Sequence, residues 1–206
     1  MAGGQERILR GRIKSVQATK KITRAMELIA ASRIVKAQQR VVAAVPYSDM
    51  ITEVVRDLSA AGAGSESPLL AGRSEVKNVC YVVLSADRGL CGGFNNNIIK
   101  RVGTLIAEDY AGKEVSVLCL GKKIKDVYKR TPNFYANDKL ENMEDVYADL
   151  RFELVAQVAE EIMAQFLNKS FDKVVLVYNR FVNAATQAIE TEQFLPIVPT
   201  VSSGES

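Results

Sequence analysis

From residue 5 to residue 58 the sequence carries no glycine after Gly11 and a single proline, Pro46. A stretch so poor in breakers reads as one long helix, kinked or interrupted near Pro46, where the ring removes an amide donor and crowds the preceding turn. Its apolar spacing sharpens the reading. Ala30, Ile34, Ala37, Val41 and Ala44 recur at alternating steps of four and three, and Ser48, Ile51, Val55 and Leu58 continue the pattern. That alternation is the seam of a coiled coil. Upstream, Ile22, Met26, Ala30 and Ile34 step by four, a stutter that relaxes or locally reverses the supercoil. An alanine-rich seam admits a close partner. A helix of this length needs one, because propensity alone does not hold it.

The charge lies on the same helix. Residues 1–40 hold ten Lys/Arg against Glu6 and Glu27, a net of +8, while the remainder is −5 with 17 basic and 22 acidic residues. A basic rod on a mildly acidic body calls for an acidic partner, whether nucleic acid, anionic lipid or an acidic protein surface.

Residues 59–75 (SAAGAGSESPLLAGRSE) are small, polar and punctuated by Gly and Pro, as a linker is. Strands then alternate with helices. Val76–Ser85 is a continuous β-branched run, suited to a buried parallel strand. Asp87–Gly93 is a glycine-rich turn, and Asn95 or Asn96 can cap a helix reaching about Tyr110. Val115–Leu120 is a second strand, followed by Gly121 and a short helix over Lys122–Lys129. Residues 131–140 supply a third short strand. Asn142 caps an amphipathic helix whose apolar face runs from Tyr147 through Leu154, Val158 and Ile162 to Phe166. Lys173–Phe181 is a fourth strand, and Gln187–Leu195 an edge strand, open to antiparallel pairing, that Pro196 ends. The alternation predicts a shaft helix over 1–58, a linker over 59–75, and a three-layer α/β/α domain over 76–200. That domain holds a mostly parallel five-stranded sheet, and 201–206 form a disordered tail.

Composition narrows the chemistry. The chain has no histidine, so no Ser-His or Cys-His nucleophile pair and no histidine metal ligand can come from it. Cys80, Cys91 and Cys119 have no CxxC spacing and form no disulfide framework. No apolar run reaches the length of a membrane span. The N-terminus has neither a signal-peptide core nor a convincing transit peptide, which makes a bacterial cytoplasm the simplest location.

Two segments stand out. Ser85-Ala-Asp-Arg-Gly-Leu-Cys-Gly-Gly-Phe-Asn95 joins the first strand to its helix, at the end of the sheet where doubly wound folds bind ligands. Its glycines fit neither GxGxxG nor a P-loop. They are read first as permitting a tight turn and the close approach of another backbone. Cys91 at the helix start is a candidate reactive thiol, and Asp87 with Arg88 a local ion pair. The second segment is Thr19-Lys-Lys-Ile-Thr-Arg-Ala-Met-Glu-Leu-Ile-Ala-Ala-Ser32, where Lys20, Lys21 and Arg24 cluster beside Met26.

Together these segments carry a resemblance. KKITRAMELIAASR on a long N-terminal helix, followed after the first strand by SADRGLCGGFN, resembles the gamma subunit of the rotary F-type ATP synthase. PYSDM near Pro46, LVYNRF and TEQFLPI extend the likeness over about residues 5–197. The resemblance implies a non-catalytic rotor subunit of the F1 central stalk, without cofactor, metal or small-molecule substrate of its own and without nucleic acid. In the family a C-terminal helix pairs with the N-terminal one inside a hexameric ring of alpha and beta subunits, which hold the nucleotides. The α/β foot meets the epsilon subunit and the membrane ring of c subunits. The resemblance places the protein peripherally on the cytoplasmic face of the bacterial plasma membrane. It implies partner-binding roles for Lys20, Lys21, Arg24 and Met26, and for Asp87, Arg88, Gly89, Cys91, Gly92 and Gly93. The family's C-terminal helix is expected to be absent from a chain ending at Ser206, leaving the seam without its partner. No dithiol control is expected, since no close cysteine pair exists. Two alternatives are a nucleotide-binding α/β protein using the Gly89–Gly93 turn and a basic coiled-coil adaptor.

Overall fold

A computed structural model of the chain describes residues 2–60, 67–109, 112–140, 147, 151–183 and 185–198. The chain divides into two compact units, Met1–Val55 and Arg56–Ser206.

The first unit is helix α1 (Ala2–Ala60), whose last residues pass into the second. It continues through Pro46, so the expected interruption there does not occur. Pro46 forfeits one backbone hydrogen bond, and the intact turns on both sides carry the helix across it. The seam is present, with its members from Ala30 to Ile51 all exposed. Ile34, Val41 and Ile51 face solvent, and the expected coiled coil has no partner helix among the described residues.

The second unit is an α/β/α sandwich. Its elements are β1 (Asn78–Leu84), α2 (Phe94–Asp109), β2 (Glu114–Leu120), α3 (Lys122–Tyr128), α4 (Phe152–Leu167), β3 (Lys173–Phe181) and β4 (Gln187–Leu195). The strands form one sheet in the order β2-β1-β3-β4. β1 runs parallel to both neighbours, with Tyr81 opposite Val117 on one side and Val175 on the other. β4 is the antiparallel edge.

Strict alternation divides the side chains of β1 between two cores. Val79, Tyr81 and Val83 pack with Ile98 and Val102 of α2 and Ile124 of α3. Cys80 and Val82 pack with Val158, Ile162 and Phe166 of α4. A strand buried on both faces has no polar side to show, which is why its sequence is apolar from Val79 to Leu84. Each such side chain contributes about 1.5–3 kcal/mol on burial.

Among the described residues the sheet has four strands, not the expected five. Over 131–140 only Phe134 bridges to Val117, while Val117 exchanges backbone hydrogen bonds with Asn133 and Tyr135. The segment starts in a turn at Pro132 and Asn133, runs parallel to β2 at Phe134 alone, and then leaves the edge. The cap expected at Asn142 and the tail 201–206 lie outside the described residues. Tyr147, expected at the upstream end of that helix's apolar face, stands in a turn ahead of α4, which begins at Phe152, and its hydroxyl donates to the Leu120 carbonyl at 3.3 Å.

Residues 67–75 contain no helix or strand, yet they are fastened to the α/β/α sandwich. Arg73 donates to Asp172 at 2.5 Å and to the Phe166 carbonyl, with its guanidinium 4.7 Å above the Phe166 ring. The other Asp172 oxygen accepts the amides of Lys77 at 2.9 Å and Asn78 at 2.8 Å.

Candidate partner-binding turn and helix

The turn after β1 is built on a fixed base. The Ser85 amide donates to the Leu120 carbonyl, and its hydroxyl accepts the Ile124 amide at 2.9 Å. The two strand ends close on each other at Gly121. A Cβ there would lie 2.1 Å from the Ser85 carbonyl oxygen, and φ is 102°, so only glycine fits. One residue beyond Ala86, the Asp87 carboxylate accepts the Lys122 amide at 2.8 Å, tying the turn to the start of α3.

Asn95 closes the turn from the other side. It was a candidate cap for α2, but it lies one residue inside the helix with its side chain directed backwards. Its Oδ1 accepts the Ala86 amide at 3.0 Å. Its Nδ2 donates to the Arg88 carbonyl at 3.2 Å and meets the Cys91 sulfur at 3.1 Å. Asn95 is buried, and these contacts use both ends of its amide. Asparagine side chains compete locally for backbone groups, and here the turn wins over the helix.

So braced, the turn presents Arg88, Gly89, Leu90, Cys91, Gly92 and Gly93 to solvent, all of them exposed. Leu90 and Gly92 both sit at φ 60°. Gly89 and Gly92 have open space around them, whereas a Cβ on Gly93 would press on the Asn97 amide at 2.9 Å. The close backbone approach expected of these glycines occurs instead at Gly121. Asp87 turns its carboxylate to the Lys122 amide instead of forming the expected ion pair with Arg88. The amides of Ala86 and Lys122 are engaged by Asn95 and Asp87, so neither offers a free donor to a phosphate.

Cys91 is the exposed cysteine. Cys80 and Cys119 are buried, and burial pushes each thiol up to about 12, far from the thiolate that reacts. Among the described residues no cluster of His, Cys, Asp or Glu can hold a metal, and no helix is long and apolar enough to cross a membrane.

Lys20, Lys21, Arg24 and Met26 occupy about two turns of α1 in the first unit, while the turn residues belong to the second. All four are exposed, Met26 to 48%. Arg24 pairs with Glu27 at 2.6 Å, an exposed contact worth at most about 1 kcal/mol. Lys20 and Lys21 have no ion-pair partner among the described residues.

The sequence pointed to the exposed turn but not to its supports. Ser85, Asn95 and Gly121 hold it, and Leu90 tops it. The glycine after β2 was the one legible signal, since a strand-to-helix step with no side chain marks a close approach.

The site features are thus a long helix with an exposed apolar seam, and a turn braced from within but open to solvent. A family model described as ATP synthase matches residues 5–206. The ATP synthase gamma chain of Christiangramia forsetii is 43% identical over 189 residues, covering 92% of this chain and 64% of that one. That of Flavobacterium johnsoniae is 40% identical over 194 residues, covering 94% and 66%. That of Chlorobium phaeobacteroides is 36% identical over 198 residues, covering 94% and 67%. The chain belongs to the ATP synthase gamma-chain family. It spans 64% and 66% of the length of the first two of these relatives. A solved structure of the central stalk and c-ring of Tetrahymena thermophila mitochondrial ATP synthase covers 71% of this chain and 72% of that chain, at 20% identity and a TM-score of 0.47.

Proposed function

We propose that this chain is a rotor element of the central stalk in an F-type ATP synthase, coupling proton-driven rotation to ATP synthesis in a ring of alpha and beta subunits. One observation carries the reading within the family: a 59-residue helix whose apolar seam and basic side chains are turned outward along its length. A stiff helix with an unsatisfied seam transmits torque once a second helix covers it.

The chain performs no catalysis in this reading; the nucleotides and the chemistry belong to the ring. Lys20, Lys21 and Arg24 meet acidic loops of the catalytic subunits, which gives attraction over a distance without locking the rotor in place. Met26 and, on the second unit, the turn from Asp87 to Gly93 each bind partners in this reading. Ring conformation and rotor angle are coupled because each rotor angle makes different contacts with each catalytic subunit. The α/β unit packs on the epsilon subunit and the c-subunit ring, holding the protein at the cytoplasmic face of the bacterial plasma membrane. Co-expression with alpha and beta subunits tests this directly. The chain should purify in the ring and change its ATPase turnover.

A further inference from the structure

Residues 67–77 stand in sequence between α1 and β1 and contain no helix or strand. A connection of that kind is ordinarily slack, and a slack chain transmits little force until it is drawn out. Here it is fastened. The Leu69 carbonyl accepts the Ile197 amide at 2.8 Å, which ties the chain arriving from α1 to the chain leaving β4. Leu69 and Ile197 both pack on the core that holds Phe166 and Leu195. Four residues on, Arg73 grips Asp172 at 2.5 Å and the Phe166 carbonyl, with its guanidinium 4.7 Å above the Phe166 ring. Asp172 in turn ties down the start of β1. Its second carboxylate oxygen accepts the Lys77 and Asn78 amides, and its own amide donates to the Asn78 carbonyl at 2.8 Å.

Order along the chain decides what this clasp does. A pull transmitted through the backbone from α1 meets Leu69 first and Arg73 next, and reaches the hydrogen bonds of β1 only after both have given way. An exposed ion pair would yield easily, since water competes for both charges. The Arg73 and Asp172 side chains are only 21% and 12% exposed, so parting them strands a charge where water reaches it poorly. The guanidinium also holds a carbonyl and a ring face, which no ammonium could do in the same way. Building on the rotor reading, we propose that the Arg73–Asp172 clasp is the joint that passes force along the chain between the shaft helix and the α/β/α sandwich. A twist of α1 against the sandwich draws on their connection, and the clasp takes that tension before β1 does. Without it, residues 67–77 would be drawn out before any torque was felt.

Optical tweezers apply such a pull directly. Handles are attached to cysteines placed at Asp57 and Lys100, both exposed, in a chain that also carries Cys91→Ser. Under constant force the parent should first lengthen by about 4 nm, as residues 67–77 come free at roughly 3.6 Å each, and open the sandwich in a later step. The wait before the first step should shorten at least about tenfold in Arg73→Met, which strands Asp172. Arg73→Lys keeps the charge but loses the fork and the stacking, and should shorten it at least about threefold. If thermal melts show the methionine variant unfolded, the lysine variant alone decides. A first step equally fast in the parent and the folded variants overturns the joint. So does a parent whose connection and sandwich open together in one step, because the pair then serves the core and bears no tension of its own. Failure of the parent to enter a ring of alpha and beta subunits overturns the rotor reading, and the pulling record still decides whether the clasp carries force.

Discussion

Arg73 and Asp172 stand 99 residues apart in sequence and form an ion pair at 2.5 Å that fixes the segment ahead of β1 to the residue ahead of β3. Both side chains are mostly buried, and Asp172 also holds the amides of Lys77 and Asn78. Removing one member leaves a charge partly buried without its partner. Arg73→Met should lower the stability of the α/β unit by about 3 kcal/mol in urea denaturation. Arg73→Met with Asp172→Asn should show strong coupling in a double-mutant cycle. Additive losses would mean that the pair contributes little beyond its separate packing.

Gly121 and Gly89 make a contrasting pair. Alanine at Gly121 would bring a Cβ within 2.1 Å of the Ser85 carbonyl at φ 102°, and Gly121→Ala should cost more than about 3 kcal/mol or abolish folding. Alanine at Gly89 meets open space, and Gly89→Ala should leave the melting temperature within a few degrees of the parent.

Asn95 is the brace of the exposed turn. Asn95→Ala leaves the Ala86 amide and the Arg88 carbonyl without their side-chain partner and should cost about 1–3 kcal/mol. Amide exchange across Ala86–Gly93 should quicken while the core of β1 stays protected. Unchanged exchange in the turn would show that its shape does not depend on Asn95.

Acid stability follows from Glu161. The Lys139 ammonium, with the Gln165 and Asn137 amides, holds its carboxyl well down, at about 2. A carboxyl lower in the folded than the unfolded chain contributes stability above its unfolded value of about 4.3. That contribution is lost as pH falls from there towards about 2. Asp172 acts in the same direction: burial raises its carboxyl, but the amides of Asn78 and Lys77 and the Arg73 guanidinium outweigh it. Urea midpoints should therefore fall steadily from pH 5 towards pH 2, and less steeply in Glu161→Gln. Parallel slopes in the two proteins would remove Glu161 from the account.

Much of the second unit was legible. β3 and β4 occupy Lys173–Phe181 and Gln187–Leu195, the residues that their β-branched runs and Pro196 mark out. A strand buried on both faces writes itself in an unbroken apolar run, and an edge strand in an interrupted one. The misses share a cause. Residues 131–140 were read as a strand but pair with β2 only at Phe134, and composition carries no information on how far a pairing extends. The single long helix was legible, and only the interruption allowed for at Pro46 fails, because local rules see one lost hydrogen bond and not the turns on either side. Asn95 reads as a cap because the backbone groups it holds lie in a turn whose path only the fold defines. Arg73 and Asp172 could not be paired from sequence, since nothing local links positions so far apart.

A rotor element of this kind must act inside a ring of alpha and beta subunits. The most direct measurement is size-exclusion chromatography of the chain co-expressed with both subunits, with ATPase activity read across the peak at two salt concentrations. Co-elution and an altered turnover are expected, with slower entry for Lys20→Gln/Lys21→Gln/Arg24→Gln and a difference that shrinks at high salt. Elution of the chain apart from an intact ring whose turnover is unchanged would contradict the rotor reading.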